Sequence, residues 1–110
     1  MTDAREAAFY SLERCEKQKK YSSIEIDSAI KKFSLEGAEK NLYVSLVYGV
    51  TERLLTLDFI INVLSARGVD KTDLSVLIPL RLGLYQMIFM DKIPPSAAVD
   101  TSVELTKKFS

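Results

Sequence analysis

Apolar positions recur along this chain at steps of three and four, and strict alternation of apolar and polar residues is hard to find, so the pattern predicts helices throughout. Ala4, Ala8, Leu12 and Cys15 share one face of a first helix, opened by Asp3 with Glu6 at the capping-box spacing. Ser22 and Glu25 mark a second start, with Tyr21 and Ile26 placed as a hydrophobic staple and Ile26, Ile30 and Phe33 as its buried face. Gly37 predicts a stop near Ser34 or Leu35. From about residue 38 to 65, Tyr43, Leu46, Val47, Val50, Leu54, Leu57, Ile61 and Leu64 keep helical period, which predicts one long central helix. Leu42, Leu55, Phe59 and Ile60 widen its stripe, as packing by several neighbours would require. Gly49 in the middle of that helix predicts a close crossing.

Residues 66–71 end the central helix, and Asp70 or Thr72 is placed to cap a fourth, from about residue 73 to 90. Pro79 within it predicts a kink or a later start, because proline has no amide hydrogen and clashes with the preceding turn. Ile93-Pro94-Pro95-Ser96 predicts a stiff turn into a fifth helix carrying Ala97, Ala98, Val99, Val103, Leu105 and Phe109. The class is all-α, and no repeat or linker divides residues 1–110 into more than one domain.

Composition narrows what such a bundle can do. With 47% apolar and 27% charged residues over 110 positions, the chain has the balance of one folded domain. Fifteen Lys and Arg offset fifteen Asp and Glu, so no long-range positive field gathers nucleic acid or an acidic membrane, and any such binding has to come from local clusters. The single Cys15 excludes an intrachain disulfide, fits a reducing cytoplasmic setting, and lies on an apolar face as a core thiol. No secretory signal opens the chain, and the weakly charged stretch 74–90 holds Arg81, Pro79 and Gly83, which suits a core helix rather than a membrane span. Without His, a Gly-rich phosphate loop or a nucleophile elbow, the chain offers nothing for independent catalysis and no cofactor or metal site.

Two basic clusters stand out against the neutral total: Arg14, Lys17, Lys19 and Lys20 after the first helix, and Lys107 and Lys108 near the end of the fifth. Cations at helix C-termini complement the helix dipole, and that structural role accounts for them without a ligand. The functional alternative is that they and Arg5 contact RNA phosphates while Tyr10 or Tyr21 stacks on an unpaired base. Arg53 and Arg81 lie beside dense apolar stripes, where pairing with a carboxylate or surfacing at the stripe's edge is expected.

Five collinear segments carry a resemblance: Ala4-Arg5-Glu6-x-Ala8, Leu46-Val47-Tyr48-Gly49-Val50-x-x-Arg53, Leu57-Asp58-x-x-Ile61, Leu80-Arg81-Leu82-Gly83-Leu84-Tyr85-Gln86, and Ile93-Pro94-x-x-Ala97-Ala98-Val99-x-x-x-Val103-Glu104-Leu105. Together they resemble the NusB-like helical domain, in the version found at the N-terminus of small-subunit ribosomal RNA cytosine-C5 methyltransferases. The resemblance implies two helical bundles sharing the central helix. It implies a non-catalytic role in placing small-subunit rRNA, with S-adenosylmethionine and the methyl transfer belonging to the full-length enzyme's C-terminal catalytic domain. The family's closing helix, typically Phe-Val-Asn-x-Val-Leu-Arg, has no counterpart before Ser110. An apolar face left without that helix is expected to be sticky, which predicts association of two copies through it. Two other roles stay open: a free-standing transcription antitermination factor, and a protein-protein module that touches no nucleic acid.

Overall fold

The computed structural model describes residues 2–18 and 23–90 of the chain. Among these residues are five α-helices and no strand: α1 (Ala4–Gln18), α2 (Ser23–Lys32), α3 (Gly37–Glu52), α4 (Leu54–Leu64) and α5 (Leu74–Phe89), with a 3-10 turn at Val69–Lys71. The Ser22 cap, the Tyr21 staple, the turn at residues 93–96 and the helix expected over residues 97–109 lie outside the described residues. Contacts gather into two compact units, within Met1–Tyr48 and Gly49–Ser110, and α3 runs from the first into the second.

In the first unit Asp3 opens α1 as its sequence predicts, accepting a hydrogen bond of 2.8 Å from the Glu6 amide at Oδ1. The Ala4 amide, another donor that the first turn leaves over, donates to Glu39 Oε2 at 2.7 Å. A carboxylate at that position also faces the positive end of the helix dipole. Ala4, Ala7, Ala8, Phe9, Ser11 and Leu12 are buried, so the covered face is broader than the predicted one, and Cys15 at its end is half-buried. Below the surface of this unit Tyr43 meets Ser11, their hydroxyls sharing a bond of 2.7 Å.

α2 stops near Ser34 as expected, and Ser34 itself makes the turn in the left-handed conformation, with φ 53°, while Gly37 is left-handed as well, with φ 56°. The Ser34 amide donates to the Lys31 carbonyl at 3.3 Å and the Leu35 amide to the Ile30 carbonyl at 3.0 Å, the paired bonds of a Schellman end. Leu35, the residue just past it, is buried. Gly37 instead opens α3.

The long central helix is also interrupted. Arg53, at φ −109° and ψ 20°, lies outside the helical region and separates α3 from α4. The break is local, because the Arg53 amide still donates to the Gly49 carbonyl at 3.1 Å and the Leu57 amide to the Arg53 carbonyl at 2.9 Å. Tyr43, Leu46, Val47, Val50, Leu57 and Ile61 are buried as their period predicts, but Leu55, Phe59 and Leu64 are exposed. In the second unit α5 packs against α4 with Leu57 and Ile61 as the covered side chains, so Leu55 and Phe59 on the opposite side stay open, while Leu64, on the covered side, is exposed as the last residue of the helix.

α5 begins at Leu74 and runs through Pro79, which is buried, so the proline does not delay its start. Neither predicted cap acts on it: Thr72 spends its hydroxyl on the Gly68 carbonyl at 2.6 Å, and the N-cap position belongs to Asp73 without a side-chain bond. Arg81 is buried and paired, its Nε and Nη2 donating to the Asp58 carboxylate at 2.8 and 2.9 Å. Arg53 surfaces instead, its guanidinium carbon 4.2 Å from the centre of the Phe89 ring. Gly49 sits against the Tyr85 ring so closely that a Cβ would overlap it, which is the crossing that its place in the sequence predicts.

Candidate nucleic-acid interface

α1 and α2 pack side by side, and between them runs an open groove of about 670 Å³. Its wall includes Tyr10, Arg14 and Lys17 from α1 and Glu25 and Lys32 from α2, with Phe33 just beyond α2. Helical spacing explains the α1 contribution, since residues 10, 14 and 17 lie at steps of four and three on one face. Tyr10 and Phe33 are stacked, with ring centres 5.8 Å apart and planes at 18°. Lys32 Nζ stands 5.4 Å from the centre of the Phe33 ring.

The cations in the groove are not idle. Arg14 Nε lies 2.9 Å from Glu25 Oε1, and Lys17 Nζ lies 3.9 Å from Glu13 Oε2. Both basic side chains are more than half exposed, so each pair contributes at most about 1 kcal/mol and yields to a competing anion at little cost. Arg14 makes its contact through Nε and keeps two amino groups able to donate. Three cations against two carboxylates leave the groove slightly positive. Phosphates would find donors here and an unpaired base would find an aromatic surface, without a strong field to draw them from a distance.

Of the residues singled out by sequence, Arg14, Lys17 and Tyr10 come together in this groove. Arg5 does not line it: it lies half-buried in the first turn of α1. Lys19, Lys20, Lys107, Lys108 and Tyr21 lie outside the described residues. Lys32 and Phe33 are the members that sequence reasoning missed. The period of α2 put Phe33 on the buried face, whereas the ring is half-buried and turned to Tyr10.

A buried hydrogen bond underlies the groove. Ser11, whose neighbour Tyr10 stacks with Phe33, is buried and bonded to Tyr43 at 2.7 Å. Burial pushes the Tyr43 phenol up from 10.0 to about 12, against the smaller opposing effect of the Ser11 bond. The folded state therefore holds this proton more tightly than the unfolded chain does. Its stabilising contribution is complete below pH 10 and is lost as pH climbs through 10 toward 12, by roughly 2–3 kcal/mol in all. Urea denaturation of the wild type and Tyr43→Phe at pH 8 and pH 11.5 checks this. The wild type should lose stability relative to the variant at the higher pH, and an unchanged difference would show that the phenol titrates normally.

Among the described residues no buried side-chain polar atom lacks a partner, and no helix is long and apolar enough to cross a membrane.

A NusB family model matches residues 2–110. The chain is 37% identical over 107 residues to a protein of Synechocystis named probable ribosomal RNA small subunit methyltransferase B, and 33% identical over 106 residues to one of the same name from Bacillus subtilis. These alignments cover 97% and 96% of this chain but only 24% of either relative, so the chain spans about a quarter of their length, corresponding to their N-terminal part. It is also 37% identical over 112 residues to the transcription antitermination protein NusB of Ruminiclostridium cellulolyticum, covering 97% of this chain and 74% of that protein. No solved structure matches significantly.

Proposed function

We propose, on the premise that this chain belongs to the NusB family, that it is a non-catalytic, RNA-facing domain of a small-subunit rRNA cytosine-C5 methyltransferase, with the groove between α1 and α2 as its RNA contact. The observation that carries this assignment is the pair of alignments that take in nearly all of this chain and a quarter of the methyltransferase relatives. The chemistry belongs to the remainder of such an enzyme, where S-adenosylmethionine would bind and supply the methyl group. This domain's task is to bind and orient rRNA, and ribosomal RNA as substrate puts that work in the cytoplasm.

The geometry supports single-stranded RNA over a duplex. The Tyr10–Phe33 pair offers a surface to an unstacked base, and Arg14, Lys17 and Lys32 can meet two or three phosphates. Three phosphate contacts to a single strand give a slope of log affinity against log salt near about −2, a modest dependence. Charge reversal at Lys17 and Lys32 in the natural polypeptide should raise KM for rRNA and flatten that slope by about 1.4 units, with kcat unchanged. An unaltered KM and slope would place the RNA surface elsewhere on the domain.

A second assignment draws on the 74% coverage of the antitermination protein. There the same groove would serve RNA binding without any methyl transfer. Rescue of rRNA cytosine methylation in a deletion strain separates the two, since only the methyltransferase assignment predicts it.

A further inference from the structure

α4 has two unlike apolar sides, one buried and one exposed. Leu57 and Ile61 are buried, whereas Leu55, Phe59 and Val63, one per turn, are 87%, 61% and 68% exposed. These three fall on one stripe because successive steps of four advance only slightly around the helix. Asp58 is the only charged residue in the 11 of α4, and both of its carboxylate oxygens are taken by Arg81. Phosphate therefore has nothing to bind on this stripe, and neither does a charged peptide.

The size of the stripe selects its occupant. Three such side chains offer on the order of 400 Å² of apolar surface, as large as the main patch of a typical monomer. Two copies meeting there would bury about 800 Å² in total, short of the roughly 1,000 Å² that a self-sufficient interface needs. One helix or strand from a partner is enough to cover it. So small a contact persists where the partner is tethered, because an effective concentration in the mM range takes the place of affinity.

We propose that the Leu55–Phe59–Val63 stripe docks an apolar segment of the methyltransferase portion of the same polypeptide, anchoring the unit Gly49–Ser110 to that portion. This rests on the methyltransferase assignment above, in which the relatives are about four times as long as this chain, which covers 24% of each.

The test places the photoreactive residue p-benzoylphenylalanine at Phe59 in the natural full-length polypeptide, whose rRNA methylation is first confirmed. Irradiation should give a crosslinked species of monomer mass that joins position 59 to a residue of the methyltransferase portion, and a crosslink to the NusB-like domain's own closing helix would overturn the proposal. A dimer band, a crosslink to RNA, a crosslink within residues 91–110, or no crosslink would each overturn the proposal while leaving the methyltransferase assignment standing. A wild type without rRNA methylation would overturn both. As a second arm, Phe59→Ser changes an exposed side chain and spares the core. It should lower kcat at least about tenfold with RNA affinity unchanged, because the catalytic portion is no longer held in register with the bound RNA. Unchanged kcat would also overturn the docking.

Discussion

Asp58→Ala is expected to cost about 3–5 kcal/mol of stability, the range for removing one partner of a buried ion pair. A domain of this size has only about 5–15 kcal/mol in total, so the variant would be near unfolding. The size of the effect follows from an asymmetry in the pair. Arg81 is 4% exposed, while the Asp58 side chain keeps 21% of its surface in contact with solvent. Losing the carboxylate takes the two-pronged partner from a guanidinium that water cannot reach, whereas losing the guanidinium leaves a carboxylate that water partly recovers. Arg81→Met, which also restores most of the lost volume, should therefore cost less, about 2 kcal/mol. The double substitution Asp58→Leu with Arg81→Met should recover most of the loss, since an apolar pair of similar volume needs no desolvated charge. Urea denaturation of the wild type, Asp58→Leu, Arg81→Met and the double variant forms a double-mutant cycle with a coupling of at least about 2 kcal/mol. A coupling below about 0.5 kcal/mol would mean that the pair behaves as a surface contact.

Gly49→Ala should destabilise by about 1–2 kcal/mol even though alanine is the better helix former. On an open helix surface the exchange gains about 1 kcal/mol. Here the new methyl would overlap the Tyr85 ring, with Cε1 at 2.5 Å and Cζ and Oη closer still. The ring has to move, and its tilted contact with Phe89, at 5.7 Å between centres, moves with it. Overpacking of this kind costs about 1–3 kcal/mol and outweighs the propensity gain. The sign should reverse in a Tyr85→Ala background, where the three nearest obstructing atoms are gone and the gain of about 1 kcal/mol is recovered. Thermal melts of both Gly49→Ala proteins decide it, and a destabilised Gly49→Ala in the Tyr85→Ala background would show that another contact limits the space.

Both effects were legible as residues out of place: an arginine beside an apolar stripe, and a glycine inside a strong helical period. The Asp3 cap and the buried face of α3 were legible for the same reason, since cap chemistry and period are local. The break at Arg53 was not. Residues 43, 47, 50, 54, 57 and 61 keep step across it, Arg53 is neither glycine nor proline, and the flanking i to i−4 bonds persist. Nor does period reveal which apolar residues find cover. Leu55 and Phe59 read as part of a widened core, and only the side that α4 presents to α5 decides otherwise. Phe33 joined Tyr10 for a similar reason, because the pairing of α1 with α2 is a long-range fact that spacing along either helix does not contain. The stop near Ser34 was legible from Gly37 breaking the helical period, but not that Ser34 itself would take the left-handed turn, because composition points to glycine for that conformation.

The bond from the Ala4 amide to Glu39 has a consequence for how the chain is made. α1 leaves the ribosome ahead of α3, with its own Asp3 able to satisfy one amide at once. The amide of Ala4 waits for a carboxylate that is synthesised 35 residues later. At about 5–20 residues per second that interval lasts seconds, far longer than a helical turn takes to form and melt. The start of α1 is thus a late event of synthesis, completed only when the first turn of α3 arrives to close it.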